Sequence, residues 1–302
     1  MFRQSSALSN PVAIGVLAAG CAYLIWGVSG LYFKALSHIS PLEVLCHRTL
    51  WTLVLTGLAL AARGELAAAL KAMSGSRRLL GLLVLSSALI GINWVLFIWS
   101  IISGHALEAS MGYFLYPLAV VVLARLFLGE KMNPRQMVAL AVVMVGVTYM
   151  MAMHGRLPWV ALTLAVTFAF YGLMRKTAPV ESLSGLFLET VILAPLALAY
   201  LAWIGGGAFL EGDLSTILML MLAGPVTGVP LLLFAFGARR LRLSTVGLMM
   251  YINPTVQMLI AVFVFGEHFT ETHLITFLCI WAGLLIYSVD VPALVRRFRL
   301  GA

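Results

Sequence analysis

The chain has 302 residues, 62% of them hydrophobic and only 10% charged, with a formal net charge of +8 at pH 7. Charge this sparse cannot clothe a water-facing surface, which excludes a soluble globular domain. The positive excess needs only anionic lipid headgroups as partner and requires no nucleic acid.

Almost all of the charge lies between apolar runs of about twenty residues. A helix rising ~1.5 Å per residue crosses a ~30 Å hydrocarbon core at that length. Ten spans are predicted, at 11–34, 41–62, 79–103, 105–128, 134–153, 157–175, 181–204, 215–237, 244–266 and 270–289. The first is too long for a cleaved signal and lacks a small-residue cleavage site. It carries Gly15 and Ala19 as a small-xxx-small pair, and Tyr23 and Trp26 at depth.

The second span holds Glu43, His47 and Arg48. An arginine inside a span costs at least ~2.5–3.5 kcal/mol on insertion scales, so it needs a partner or a wet cavity. Glu43, and Glu108 at the start of the fourth span, are the partners expected if Arg48 only locks helices together. The functional reading makes Arg48 an anchor for a substrate carboxylate or other anion. After the second span, residues 63–78 form the longest polar gap, expected as a loop.

Asn93-Trp94 sits in the third span, and Tyr113, Tyr116, Pro117 and Arg125 in the fourth. Arg125 is near a span end and can snorkel to headgroups. The sixth span carries Phe170-Tyr171, and the seventh Glu189, with no cation near it in sequence. A lone carboxylate among apolar helices either hydrogen-bonds to neighbours or carries a proton or a cation. Pro225, Thr227, Gly228 and Pro230 make the eighth span the most irregular, and the ninth holds Tyr251, Asn253 and Pro254.

Buried Asn often merely cross-links helices. Tyrosines and tryptophans belong at the interfaces, so central ones such as Trp26, Trp94, Tyr113, Tyr116, Tyr171 and Tyr251 point as a cluster to a pocket wall. Taken singly, each is better explained by helix packing.

Fifteen of the nineteen basic residues fall at the termini or in alternate gaps: Arg3; Arg63, Lys71, Arg77 and Arg78; Lys131 and Arg135; Arg175 and Lys176; Arg239, Arg240 and Arg242; Arg296, Arg297 and Arg299. The opposite gaps hold only Lys34 and Arg156. The positive-inside rule then puts both termini in the cytoplasm and makes the span count even.

The fourth and ninth spans also match. Pro117 precedes Gly129-Glu130 and Pro254 precedes Gly266-Glu267, with thirteen residues from proline to glutamate in each. A looser alignment sets Arg48-Thr49 against Glu189-Thr190. Five spans repeated in tandem must insert the second copy upside down, because five is odd. The expected fold is all-α and polytopic: two inverted five-helix repeats, 1–153 and 154–302, the second ending in a short basic tail. Inverted repeats around a midplane site are a design of secondary transporters.

Hydrolase, metalloprotease and Walker-type motifs are absent, so no enzyme activity is expected. Cys21, Cys46 and Cys279 have no metal or redox spacing, so no metal or cofactor is expected. No lipidation signal appears at either end, and nothing argues for an oligomer.

Together, Asn93-Trp94-Val95-Leu96-Phe97-Ile98-Trp99, Glu108-Ala109-Ser110-Met111-Gly112-Tyr113-Phe114, Phe170-Tyr171-Gly172-Leu173-Met174-Arg175-Lys176, Val229-Pro230-Leu231-Leu232-Leu233-Phe234 and Arg240-Leu241-Arg242-Leu243-Ser244-Thr245-Val246-Gly247 resemble the RarD, or chloramphenicol-sensitivity, family of EamA-type transporters, as does Glu43 followed by His47-Arg48. The resemblance runs nearly the whole length. It implies ten helices in two inverted repeats, a bacterial inner-membrane location, and transport of small organic solutes such as amino-acid-like metabolites or amphipathic drugs, outward. Tyr116 replaces the Asn usual before Pro117, Gly30 stands where Pro is common, and Arg125 replaces a small or apolar residue.

From the residues, the expected substrate contacts are Arg48, Asn93, Trp94, Tyr113, Tyr116, Tyr251 and Asn253, with Glu189 as a proton or cation site. Glu43, Glu108, Trp26, Tyr171, Pro117 and Pro254 are assigned structural or gating roles. An uncoupled facilitator of the same fold, a membrane-embedded lipid-modifying enzyme and a non-transporting receptor are the rivals.

Overall fold

A computed structural model of the chain describes residues 11–127, 129, 131–155, 157–238, 240–241 and 249–288. Over these residues the secondary structure is helical, without strands. The helices are α1 (Pro11–Ala35), α2 (Pro41–Ala62), α3 (Leu66–Gly75), α4 (Arg77–Ile102), α5 (Ala106–Phe127), α6 (Pro134–His154), α7 (Trp159–Thr177), α8 (Ser182–Trp203), α9 (Ala208–Glu211), α10 (Leu214–Ala238), α11 (Ile252–Phe263) and α12 (Glu271–Ser288).

Seven of these, α1, α2, α4, α5, α6, α8 and α10, are long and apolar enough to cross a membrane; α7, α11 and α12 are shorter apolar helices. The protein is an all-helical polytopic membrane protein. The first part of the predicted ninth span lies outside the described residues. So do Glu130 of the proline-to-glutamate match, Arg3, Arg156, Arg239, Arg242, the run up to Gly247, and the tail cations Arg296, Arg297 and Arg299.

Two short helices depart from the expected pattern. The gap read as a loop contains α3, whose Leu66-Ala-Ala-Ala-Leu start is rich in strong helix formers. Ten residues are too few to cross a membrane, so a search for spans passes over it. The turn α9 follows Gly205, Gly206 and Gly207, with φ of 71°, 91° and 55°, values that favour glycine.

Helix starts follow local chemistry. Ser40 caps α2 through Glu43 N–H at 3.2 Å, with Pro41 in the first turn. Asn133 and Gln136 form a reciprocal capping box on α6. Asp213 precedes α10 and accepts from Thr216 N–H at 2.9 Å and from the Ser215 hydroxyl at 2.8 Å. The hydrogen bonds from Thr216 and Ser215 hold its carboxyl down at about 2.

The chain divides into two units. The first comprises residues up to Tyr116 and from Val160 to Glu267; the second, Pro117 to Trp159 and His268 onward. The boundary falls inside α5, at Pro117. In the second unit α6 packs on α12 through small residues. A side chain on Gly146 would lie 2.6 Å from Cys279 Cβ, and the Thr276 hydroxyl donates to Gly146 O at 3.3 Å.

In the first unit, α10 lies against α1 and α2, α8 against α2 and α4, and α11 against α1. Gly224 of α10 has no room for a side chain against the Trp51 backbone of α2, and one on Gly112 of α5 would lie 2.7 Å from Ala161 O of α7. Lipid tails supply no net hydrophobic drive between helices, so such close backbone approach is what binds them.

Candidate functional site

Arg48 lies on the buried face of α2 with Thr52 and Thr56, at steps of four residues that stack on one side of a helix. It is 8% exposed. Its guanidinium carbon sits 4.2 Å from the Trp94 ring centroid and 5.4 Å from that of Phe33, within cation–π range. Its Nε and Nη1 are buried without a hydrogen-bond partner. Among the described residues, no carboxylate lies within 4 Å of it.

The two acids expected beside Arg48 are engaged elsewhere. Glu43, buried on α2, accepts from Ala208 N–H at 2.6 Å and so caps the start of α9; bare Gly207 leaves the room its carboxylate occupies. Glu108 accepts from Val160 N–H at 3.0 Å and Ala161 N–H at 3.5 Å, at the start of α7. Glu267 does likewise for α5, through Ala106 N–H at 2.7 Å and Leu107 N–H at 2.8 Å. In each case an acid satisfies the open donors of a helix start from outside that helix. His47, beside Arg48, stacks its ring on Phe209 of α9 at 5.0 Å.

Glu189 is not the isolated carboxylate expected from its neighbours in sequence. It is fully buried and accepts from Ser86 of α4 at 2.7 Å and from the Tyr171 hydroxyl of α7 at 3.1 Å. Arg175 Nη1 stands 3.8 Å away. Its Nη2 donates to Glu181 O and Ser182 O, at 3.2 and 3.3 Å. Gly185 of α8 seats the guanidinium, since a side chain there would overlap it. The sequence pattern places Arg175 among the loop cations, whereas its side chain turns back onto α8.

Aromatic rings join the two charged centres. Phe33 meets Phe97 at 5.8 Å, Phe97 meets Tyr113 at 5.8 Å, and Tyr113 meets Phe168 at 6.0 Å. Phe168 in turn meets Tyr116 at 4.9 Å and Tyr171 at 5.9 Å. Asn93 donates to Leu164 O and the Thr167 hydroxyl, both at 3.0 Å, which cross-links α4 to α7. Its Oδ1 lies 3.4 Å from the Tyr113 hydroxyl.

The other expected site residues stand in different contacts. Tyr251 stacks on Phe114 at 6.5 Å, and Asn253 accepts from Gln257 at 2.8 Å. Trp26 meets Tyr23 at 5.8 Å and Phe234 at 6.1 Å. Pro117 lies within α5, and Pro254 is buried in the first turn of α11.

A family model described as the EamA-like transporter family matches the chain twice, over residues 13–152 and 158–289. The chain belongs to the EamA-like transporter family. It is 43% identical over 279 residues to an uncharacterized transporter of Vibrio cholerae, covering 91% of this chain and 92% of that one. It is 40% identical to Protein RarD of Escherichia coli over 286 residues, 94% and 96% of the two chains. A chloramphenicol-sensitive protein RarD of Pseudomonas aeruginosa is 32% identical over 288 residues, 94% of this chain and 96% of that one. A crystal structure with 16% sequence identity superposes at a TM-score of 0.57, covering 90% of this chain and 96% of the other, and speaks for the fold alone.

Within this EamA-type chain, sequence reading missed Phe33, Phe97 and Phe168 around the site. A phenylalanine in an apolar span carries no mark that separates a site wall from packing. For Ser86 and Arg175 a signal existed. Ser86-Ser87 is a polar pair in a span, and Arg175 ends one near an unpaired acid.

Proposed function

We propose that this protein is a secondary transporter of small organic solutes that works by alternating access and exports across the bacterial inner membrane. Two inverted five-helix repeats, 1–153 and 154–302, form the machine, with both termini in the cytoplasm; the paired family matches and alternating basic gaps support this. The carrying observation is Arg48, a buried guanidinium held by rings with unanswered donors. Arg48 anchors an anionic group of the solute, Trp94 and Tyr113 supply walls, and Asn93 fixes the α4–α7 contact beside them. Tyr116, Tyr251 and Asn253 complete the proposed lining.

Flux in proteoliposomes containing Arg48→Ala tests the reading. Flux should fall ~10- to 100-fold, the loss expected when a charge-assisted contact disappears from a desolvated site, while the variant still elutes as a folded monodisperse protein. Wild-type flux would discard the anchor.

Glu189 is the proposed proton or cation site. One observation favours the uncoupled facilitator: both Glu189 oxygens already hold hydrogen bonds, and Arg175 stands beside them. Whether an imposed proton gradient drives accumulation separates the two.

A further inference from the structure

Granting that Arg48 anchors solute, we infer that the solute is a monoanion: one carboxylate on a flat apolar body, with no ammonium group. The inference starts from the charges around the ring-lined centre. Arg48 brings one positive charge, and no described carboxylate lies within 4 Å to balance it. A buried unpaired charge is costly, so an anion gains more by binding here than at any exposed arginine.

A zwitterion's ammonium group would need a carboxylate of its own. Glu43 is taken by Ala208 N–H, Glu108 by Val160 N–H, and Glu189 by Ser86, Tyr171 and Arg175. Nor are the nearest ring faces open to an ammonium, because Trp94 and Phe33 already hold the guanidinium. A dianion fails for the converse reason, since its second carboxylate would be desolvated without a cation.

The body of the solute follows from the walls. Phe33, Phe97, Tyr113 and Phe168 meet in near-perpendicular pairs, with interplanar angles of 90°, 73° and 82°. Phe33 and Phe97 are buried, so a further planar ring adds to half-buried Tyr113 and Phe168 by the same edge-to-face preference.

Four probes that share a phenyl ring and differ in charge test this: 3-phenylpropanoate, phenylalanine, phenethylamine and phenylsuccinate. Equilibrium dialysis against purified wild-type protein should rank 3-phenylpropanoate first. Phenylalanine, phenethylamine and phenylsuccinate should each bind at least about tenfold more weakly. Arg48→Ala should lose the preference, and Arg48→Lys should keep its order at reduced affinity, with folding of both verified by gel filtration.

Phenylalanine or phenylsuccinate binding as tightly as 3-phenylpropanoate, with all binding lost in Arg48→Ala, would overturn the monoanion and leave the anchor standing. Binding of 3-phenylpropanoate unchanged in a folded Arg48→Ala would overturn the anchor itself. No binding by any of the four would also overturn the inference, because 3-phenylpropanoate carries everything it requires.

Discussion

Among the described residues, two arginines enter the apolar interior of the first unit, and they are held in different ways. Arg175 has a carboxylate 3.8 Å from Nη1, a nitrogen that makes no hydrogen bond of its own, and donates through Nη2 to two backbone carbonyls above a glycine seat. Arg48 meets rings, and two of its nitrogens are left without acceptors. A charge answered from within the protein holds helices together. A charge left unanswered raises the free energy of the folded chain and is retained where a ligand completes it. Sequence alone singles out Arg48, which sits mid-span, and reads Arg175, at a span end, only as a loop cation.

The comparison predicts opposite signs for one chemical change. Arg175→Met removes the partner of a buried carboxylate and should destabilise by about 3–5 kcal/mol, toward the low end because the Arg175 side chain is 15% exposed. Arg48→Met removes an uncompensated charge and should stabilise, by up to ~2.5–3.5 kcal/mol less what the cation–π contacts contribute. Thermal unfolding in detergent checks both against wild type. Equal signs would end the distinction between the two arginines. Adding Glu189→Leu to Arg175→Met should restore most of the loss, since no unpaired charge then remains.

Gly185→Ala sharpens the same comparison at smaller scale. The added methyl occupies the space where the Arg175 guanidinium now lies. The side chain must move, which draws Nη1 away from Glu189 and Nη2 away from Glu181 O and Ser182 O. A loss of about 1–3 kcal/mol is expected, the usual range for overpacking. It should be strongly non-additive with Arg175→Met, because both substitutions break one arrangement. Full additivity in the double variant would place the cost in α8 itself.

How far the sequence reached follows from the range of each interaction. Spans are local properties, written in hydropathy over about twenty residues, and α2 was legible to the residue. Caps were legible where they are local, as at Asn133 and Gln136. The acids Glu43, Glu108 and Glu267 were not, because each reaches backbone donors 52 to 165 residues away. No side-chain pattern encodes a bond to a backbone N–H of a distant helix. Arg175 was misjudged for a related reason: its chain neighbour Lys176 resembles a loop, whereas its spatial neighbours are Gly185 and Glu189. Trp94 and Arg48 were singled out because a polar or ionisable tip in an apolar run is expensive, and that expense is visible in any alignment of residues with hydropathy.

The smallest expected effect uses pH to keep surface and interior apart. Asp213 is exposed and its carboxyl is held at about 2, below the usual 3.8, by hydrogen bonds from Thr216 and Ser215. A carboxyl whose folded value is depressed stabilises the fold fully above its ordinary value and loses that contribution as pH falls through the folded one. Between about pH 5 and 8 the Asp213 charge therefore does not change, and unfolding temperatures of wild type and Asp213→Asn should run parallel. They should converge only below about pH 4, and divergence between pH 5 and 8 would contradict the hydrogen-bonded carboxylate. A slope shared by these two proteins within that window must arise elsewhere. If it vanishes in Glu189→Gln, the buried carboxylate beside Arg175 is the group taking up protons, as the coupled form of the transporter requires. If it persists there, Glu189 keeps one protonation state across the window and the uncoupled facilitator is the better account.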